Sequence, residues 1–257
     1  AKGFAYGLDI PLISIETLRI LEKGAKRKLT GEEVCRYCKK MYPEVKFNNI
    51  AHAIPHMLGN NSIFDRLECD SCNSFFAQNL DHHFGNWSLP WRTIGRIKKK
   101  RGFPSAATDD LTVQAKSARE IEISLKNSKP IFQGDYAIID IKRSPFIPCA
   151  VLKSLVKMAI SVCPEEYQFE LELAKQWIMC KEHSLSGLPI SYPEILLQKV
   201  PGPMPNNMIH YALFRRIIDS ACSPYFIFFI QFANYSIQLS LPVLGPGDLV
   251  KKSIINN

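Results

Sequence analysis

Two cysteine pairs, Cys35-Arg36-Tyr37-Cys38 and Cys69-Asp70-Ser71-Cys72, bracket a stretch that carries His52. A C-x-x-C pair can fold its thiolates onto one side of an ion, and two such pairs close a tetrahedral zinc sphere. A closed sphere leaves no position for substrate. Zinc bound by Cys35, Cys38, Cys69 and Cys72 would therefore hold a small fold together rather than perform chemistry. The histidine between the pairs is what a purely structural zinc module does not need. His52 lies at the end of a short apolar run and is followed by Pro55 and a Gly59-Asn60-Asn61 turn, and Asn73 directly follows the last cysteine. A lone histidine in an apolar strand is more often packed in a core, and only its place between two zinc pairs raises the chemical reading.

The elements that must position these residues are legible in outline. Residues 44–54, with Val45, Phe47 and Ile50 apolar, read as a strand that delivers His52 at its end. Residues 57–68 read as a loop around Gly59-Asn60-Asn61. Asp70 or Ser71 can cap a helix running to about Phe84. On it Phe76, Leu80, His83 and Phe84 share one face by helical spacing, and Asn73, Ala77 and Asp81 share a neighbouring one.

Taken together, Cys35, Cys38, His52, Pro55, Gly59, Asn60, Cys69, Cys72 and Asn73 stand in the order of a known pattern. It runs C-x-x-C, a strand ending in His-x-x-Pro, a Gly/Asn loop, then C-x-x-C followed by His or Asn at a helix start. Residues 30–87 thus resemble the HNH endonuclease family, in its zinc-stabilised branch. The resemblance implies an α+β fold, with a ββα-metal module followed by a mixed α/β C-terminal region, and metal-dependent hydrolysis of phosphodiester bonds in DNA. By that resemblance His52 is the general base, Asn73 holds a catalytic divalent ion, and Asn60 braces the loop and orients the His52 ring. Mg²⁺ is the simplest such ion, because it takes few protein ligands and prefers oxygen. This chain departs from the family at one point: the acidic ligand that many members place just before the histidine is Ala51 here. A further ligand must come from elsewhere, with His56 and His83 as nitrogen candidates and Asp70 and Asp81 as oxygen candidates. An imidazole ligand would shift preference towards Mn²⁺ or Ni²⁺. Two other readings use the same residues, a non-catalytic zinc-knuckle module that binds nucleic acid and a zinc-stabilised protein-interaction module.

A net charge of +8 favours a polyanionic partner, DNA or RNA. The densest basic run follows the zinc stretch: Arg92, Arg96, Lys98, Lys99, Lys100 and Arg101 with Trp91 and Phe103 nearby. Arg96, Lys98, Lys99, Lys100 and Arg101 are the candidates for phosphate contact. Gly102, Pro104 and Ser105 then read as a linker, dividing the chain into an N-terminal helical segment (1–30), the zinc module (31–103) and an α+β region (104–257). The first segment takes its helix from Ser14 to Lys23, where Ile15, Leu18, Ile20 and Leu21 recur at near-helical spacing.

The C-terminal region alternates less clearly. Residues 121–125 and 136–141 read as strands, 150–162 and 165–179 as helices, 208–218 as a helix, and 225–230 with 236–241 as adjacent strands turning at Ala233-Asn234. Lys153 and Lys157 share a helical face by i, i+4 spacing and read as an ordinary solvated pair. Nothing in this half points to a chemistry of its own, which leaves regulation, dimerisation and substrate binding open. Four of the eight cysteines (Cys149, Cys163, Cys180 and Cys222) are scattered, and with no secretory leader at the start of the chain they read as reduced thiols of a cytoplasmic protein. No stretch is long and apolar enough for a membrane span.

Overall fold

The computed structural model describes residues 12–15, 33–98, 102–107, 111–117, 120–125, 131–138, 144–186, 188, 195–199, 209–217, 224–246 and 248. In chain order it contains β1 (Leu12–Ile15), β2 (Ala51–His52), β3 (Phe64–Asp65), helix α1 (Asp70–Phe76), a π-helical turn (Ala77–Asp81) and helix α2 (His82–Ile94). Strands β4 (Ser105–Ala107), β5 (Leu111–Ala115), β6 (Ile121–Leu125), β7 (Ile131–Gln133) and β8 (Tyr136–Ile138) follow. Helix α3 (Pro148–Val162), a 3-10 turn (Glu165–Leu171), helix α4 (Glu172–Met179) and strands β9 (Ile195–Lys199), β10 (Ile209–Arg216), β11 (Phe226–Phe232) and β12 (Tyr235–Ser240) complete it. The class is α+β, as the sequence implies.

The largest sheet is antiparallel in the order β1-β10-β11-β12-β9. Its central strand β11 is apolar nearly throughout. Phe226, Phe228, Ile230 and Phe232 project from one face and are fully buried. Ala233 and Asn234 turn the chain from β11 into β12, and Ala233 adopts a φ of 47°.

Residues 209–216 form β10, not the helix expected over 208–218. Pairing with β1 and β11 on both edges supplies the backbone bonds that a helix would have made internally. Leu12–Ile15 is likewise strand β1, bonded to β10, and not the start of a helix at Ser14; residues 16–32 lie outside the described ones.

Helix α3 runs through the middle of the molecule. Every residue from Ala150 to Val162 is buried, including Lys153 and Lys157, so the solvated pair expected there is an interior one. A helix apolar all round must be covered on all sides. The π turn, α2, α4 and β3 cover this one. The zinc module is therefore packed directly on α3. Arg36 donates to the carbonyls of Ile160 and Ser161 at the helix C-terminus (3.0 and 3.4 Å), where a cation meets the negative end of the dipole. Arg36 also pairs with buried Asp65 at 3.1 Å.

Helix α2 runs past the end expected near Phe84 and reaches Ile94, inside the basic run, with Pro90 within it. Trp87 and Trp91 meet edge to face at 4.3 Å, and Trp91 reaches Tyr235 of β12. The segment is thus clamped between module and sheet. Among the described residues no helix is long and apolar enough to cross a membrane.

Candidate active site of a zinc-stabilised module

The first cysteine pair sits in a tight knuckle closed by the bridge Val34–Met41, with Lys39 in the left-handed region (φ 60°). The second pair spans the start of α1, where Cys69 precedes the helix and Cys72 lies in its first turn. The four sulfurs lie within 4.8 Å of one another, with 3.8 Å between Cys35 and Cys72 and between Cys38 and Cys69. A tetrahedron with Zn–S bonds of about 2.3 Å has S···S edges of about 3.8 Å, so the sulfurs fit one zinc ion. The thiols also compete for charge. The hydrogen bond shared by the Cys35 and Cys72 thiols draws Cys35 down to about 4 and raises Cys72, while burial pushes Cys69 up to about 11. A divalent cation removes that conflict by holding several thiolates at once.

Asp70 does not cap α1 through its side chain. Its carboxylate accepts the N–H groups of Asn48 and Asn49 (3.1 and 2.9 Å), and its own N–H donates to the Lys46 carbonyl. Those bonds tie the chain around 46–49 to the helix start, which is why the strand expected over 44–54 shrinks to Ala51–His52. They also use Asp70 in bracing and leave it outside the cavity described next.

His52 closes this two-residue strand, paired with Phe64 of β3. Its ring rests on Phe64 and meets His56 edge to face. Asn60 is buried behind it. Its amide nitrogen donates to the carbonyls of Ile54 and Ile63 (2.5 and 2.7 Å), and its oxygen accepts the N–H groups of Ser62 and Ile63. The approach of that same nitrogen to His52 Nδ1, at 3.4 Å, is the longest of these contacts. Two short bonds account for both amide hydrogens, so Asn60 locks the loop first and steadies the ring second.

His52, His56, Asn73 and Asp81 line one cavity of about 250 Å³, walled by Ile50, Ala51, Pro55 and Met57 and floored by Lys157. Asn73 stands in the first turn of α1 and Asp81 at the end of the π turn. Burial raises the Asp81 carboxyl, Lys157 opposes that rise, and Ser154 Oγ lies 3.5 Å away.

Residues 35–89 match the family model of the HNH endonuclease. No curated protein and no solved structure matches the chain.

The HNH match contains all four sulfurs, His52, Asn60, Asn73 and Asp81. His83, another candidate ligand, lies inside the match but outside the cavity. Its Nδ1 accepts the Ile147 N–H at 3.2 Å and its ring meets His82 and His183. Arg92 is also withdrawn from any phosphate. It is buried on α2, donating to Ser88 Oγ and the Gly85 carbonyl, and burial lowers it to about 10. Arg96 is partly exposed and Lys98 exposed, whereas Lys99, Lys100 and Arg101 lie outside the described residues.

Sequence reasoning missed Lys157. It comes from α3, far beyond the HNH match, and its Nζ pairs with Glu68 at 2.8 Å and donates to the His52 carbonyl at 3.1 Å. Burial works against its charge, yet Glu68 and Asp81 outweigh it and hold the amine above its ordinary value. Burial pushes Glu68 up to about 7 even with Lys157 beside it. The available signal was two lysines four apart in a helix with no other charge.

Proposed function

We propose that this chain is a metal-dependent endonuclease acting on DNA, with the cavity between β2 and the α1–π turn as its active site. The carrying observation is that one imidazole, His52, and the two oxygen donors Asn73 and Asp81 line the same cavity beside a four-thiolate zinc knuckle. His52 takes a proton from the attacking water, the part an imidazole commonly plays as a general base. Asn73 and Asp81 hold the divalent ion, with His56 beside them. The Asp81 carboxylate stands in for the acidic residue absent at Ala51. When bound, that ion supplies Lewis-acid stabilisation of the charge that builds up on the phosphate. Two oxygen donors and room for water suit Mg²⁺, and the nearby His56 nitrogen widens the choice to Mn²⁺ or Ni²⁺. Arg96 and Lys98 extend the reading to the phosphate backbone on the α2 side, together with Lys99, Lys100 and Arg101 beyond the described residues.

Nicking of a supercoiled plasmid tests the reading. The protein should nick in the presence of Mg²⁺ or Mn²⁺, stop in EDTA and fail as His52→Ala while its zinc content stays near one per chain, about the stoichiometry of a four-cysteine site. A His52→Ala protein that cleaves at the wild-type rate would remove this function.

A further inference from the structure

We infer that Lys157 is a positioning residue for the cleavage site, fixing His52 from a helix outside the HNH match. The inference rests on the nuclease reading for its catalytic half and on geometry alone for the rest.

Strand β2 is two residues long, and β3 is the one strand it pairs with among the described residues. So short a ladder cannot fix the end of the strand by itself. Lys157 Nζ donates to the His52 carbonyl at 3.1 Å and pairs with Glu68 at 2.8 Å. Glu68 directly precedes Cys69, so its backbone is tied to the second cysteine pair. One ammonium group therefore links the strand that carries His52 to the knuckle that carries zinc. The ammonium also sits over the Phe76 ring at 5.7 Å, which holds its stem against α1. Glu68 is the carboxylate in bonding contact, and Asp65 and Asp81 face the same amine at longer range.

A buried ion pair is a weak source of stability, because desolvation cancels much of the attraction and an apolar pair of similar volume often serves as well. The bond to His52 is different, because no apolar side chain can replace a donor to that carbonyl. Stability and positioning can therefore be separated.

The experiment uses the full chain as the double variant Lys157→Met, Glu68→Gln, in which neither buried charge is left without its partner. If Lys157 positions His52, thermal stability and zinc content stay close to wild type. Hydrogen exchange at the Ala53 N–H, which shares its peptide group with the His52 carbonyl and bonds to Ile63, accelerates at least about tenfold relative to other protected amides. Plasmid nicking loses about 100-fold in kcat, the scale of a misplacement near 1 Å, with little change in KM. Unchanged exchange at Ala53 overturns the proposal whether or not the wild-type protein cleaves. A wild-type kcat in the double variant also overturns it. If the wild-type protein does not nick DNA but Ala53 loses its protection in the variant, the nuclease reading falls while Lys157 keeps its positioning role.

Discussion

The cavity is held from two sides by opposite means. On one side four thiols within 4.8 Å of one another offer a metal site that fixes the start of α1 and with it Asn73. On the other side a single buried ammonium on α3 bonds Glu68 and the His52 carbonyl. A structural zinc ion contributes on the order of 10 kcal/mol to the fold of a small module. Removing one partner of a buried ion pair costs about 3–5 kcal/mol, most of it the penalty on the charge left behind. The knuckle thus decides whether the module exists, and α3 decides how accurately it is set.

Breaking the knuckle should have the largest effect. Cys72→Ser is expected to abolish zinc binding, far-UV circular dichroism of the module and cleavage together, whereas Cys163→Ser leaves metal content unchanged. His52→Ala comes next and separates chemistry from architecture: nicking falls by about 10²–10⁴-fold, the range for removal of a general base, while urea midpoint and zinc content hold. Lys157→Met alone leaves Glu68 buried without its cation, so urea denaturation should show a loss of about 3–5 kcal/mol with zinc retained. If stability fell by less than about 1 kcal/mol, the pair would be behaving as an exposed one and the contrast with the knuckle would collapse. Asp81→Asn is milder still. If the carboxylate holds the ion and moves no proton, the variant should lower nicking at limiting Mg²⁺ and recover in part as the metal is raised. The smallest effect is expected from Arg96→Gln with Lys98→Gln. There the slope of log affinity against log salt flattens by nearly 2, about 0.9 for each phosphate no longer neutralised. An unchanged slope would place DNA on another face.

The two supports also differ in how far the sequence reveals them. Cysteine spacing, a histidine before Pro55 and an asparagine after Cys72 are local signals, and local spacing dictates local geometry. Lys157 meets His52 across 105 residues of chain, a separation that no periodicity encodes. What α3 did show was its apolar character all round, and a lysine in such a helix needs a buried partner. The helix expected over 208–218 fails for a related reason. The residues of β10 suit helix or strand, and β1 and β11 on either side decide between them. His83 was expected on the face of Phe76, Leu80 and Phe84, which are buried in the core, whereas its own Nδ1 is taken up by the backbone N–H of Ile147. Asp81 was legible as a candidate by its residue type and by the helix face it shares with Asn73, but not the π turn that completes its arrival in the cavity.

That arrival depends on the π turn. Eight residues of regular helix would leave Asp81 about 80° round the axis from Asn73. A π turn absorbs one extra residue and brings the two within about 20° of each other, and both line the cavity. The donor pair is thus a matter of residue count, and its trace in evolution should be an insertion rather than a substitution. Among relatives that keep the two cysteine pairs, the extra residue between Asn73 and Asp81 should travel with a small residue before the histidine, as Ala51 is here. Relatives one residue shorter should restore an acidic residue at that place.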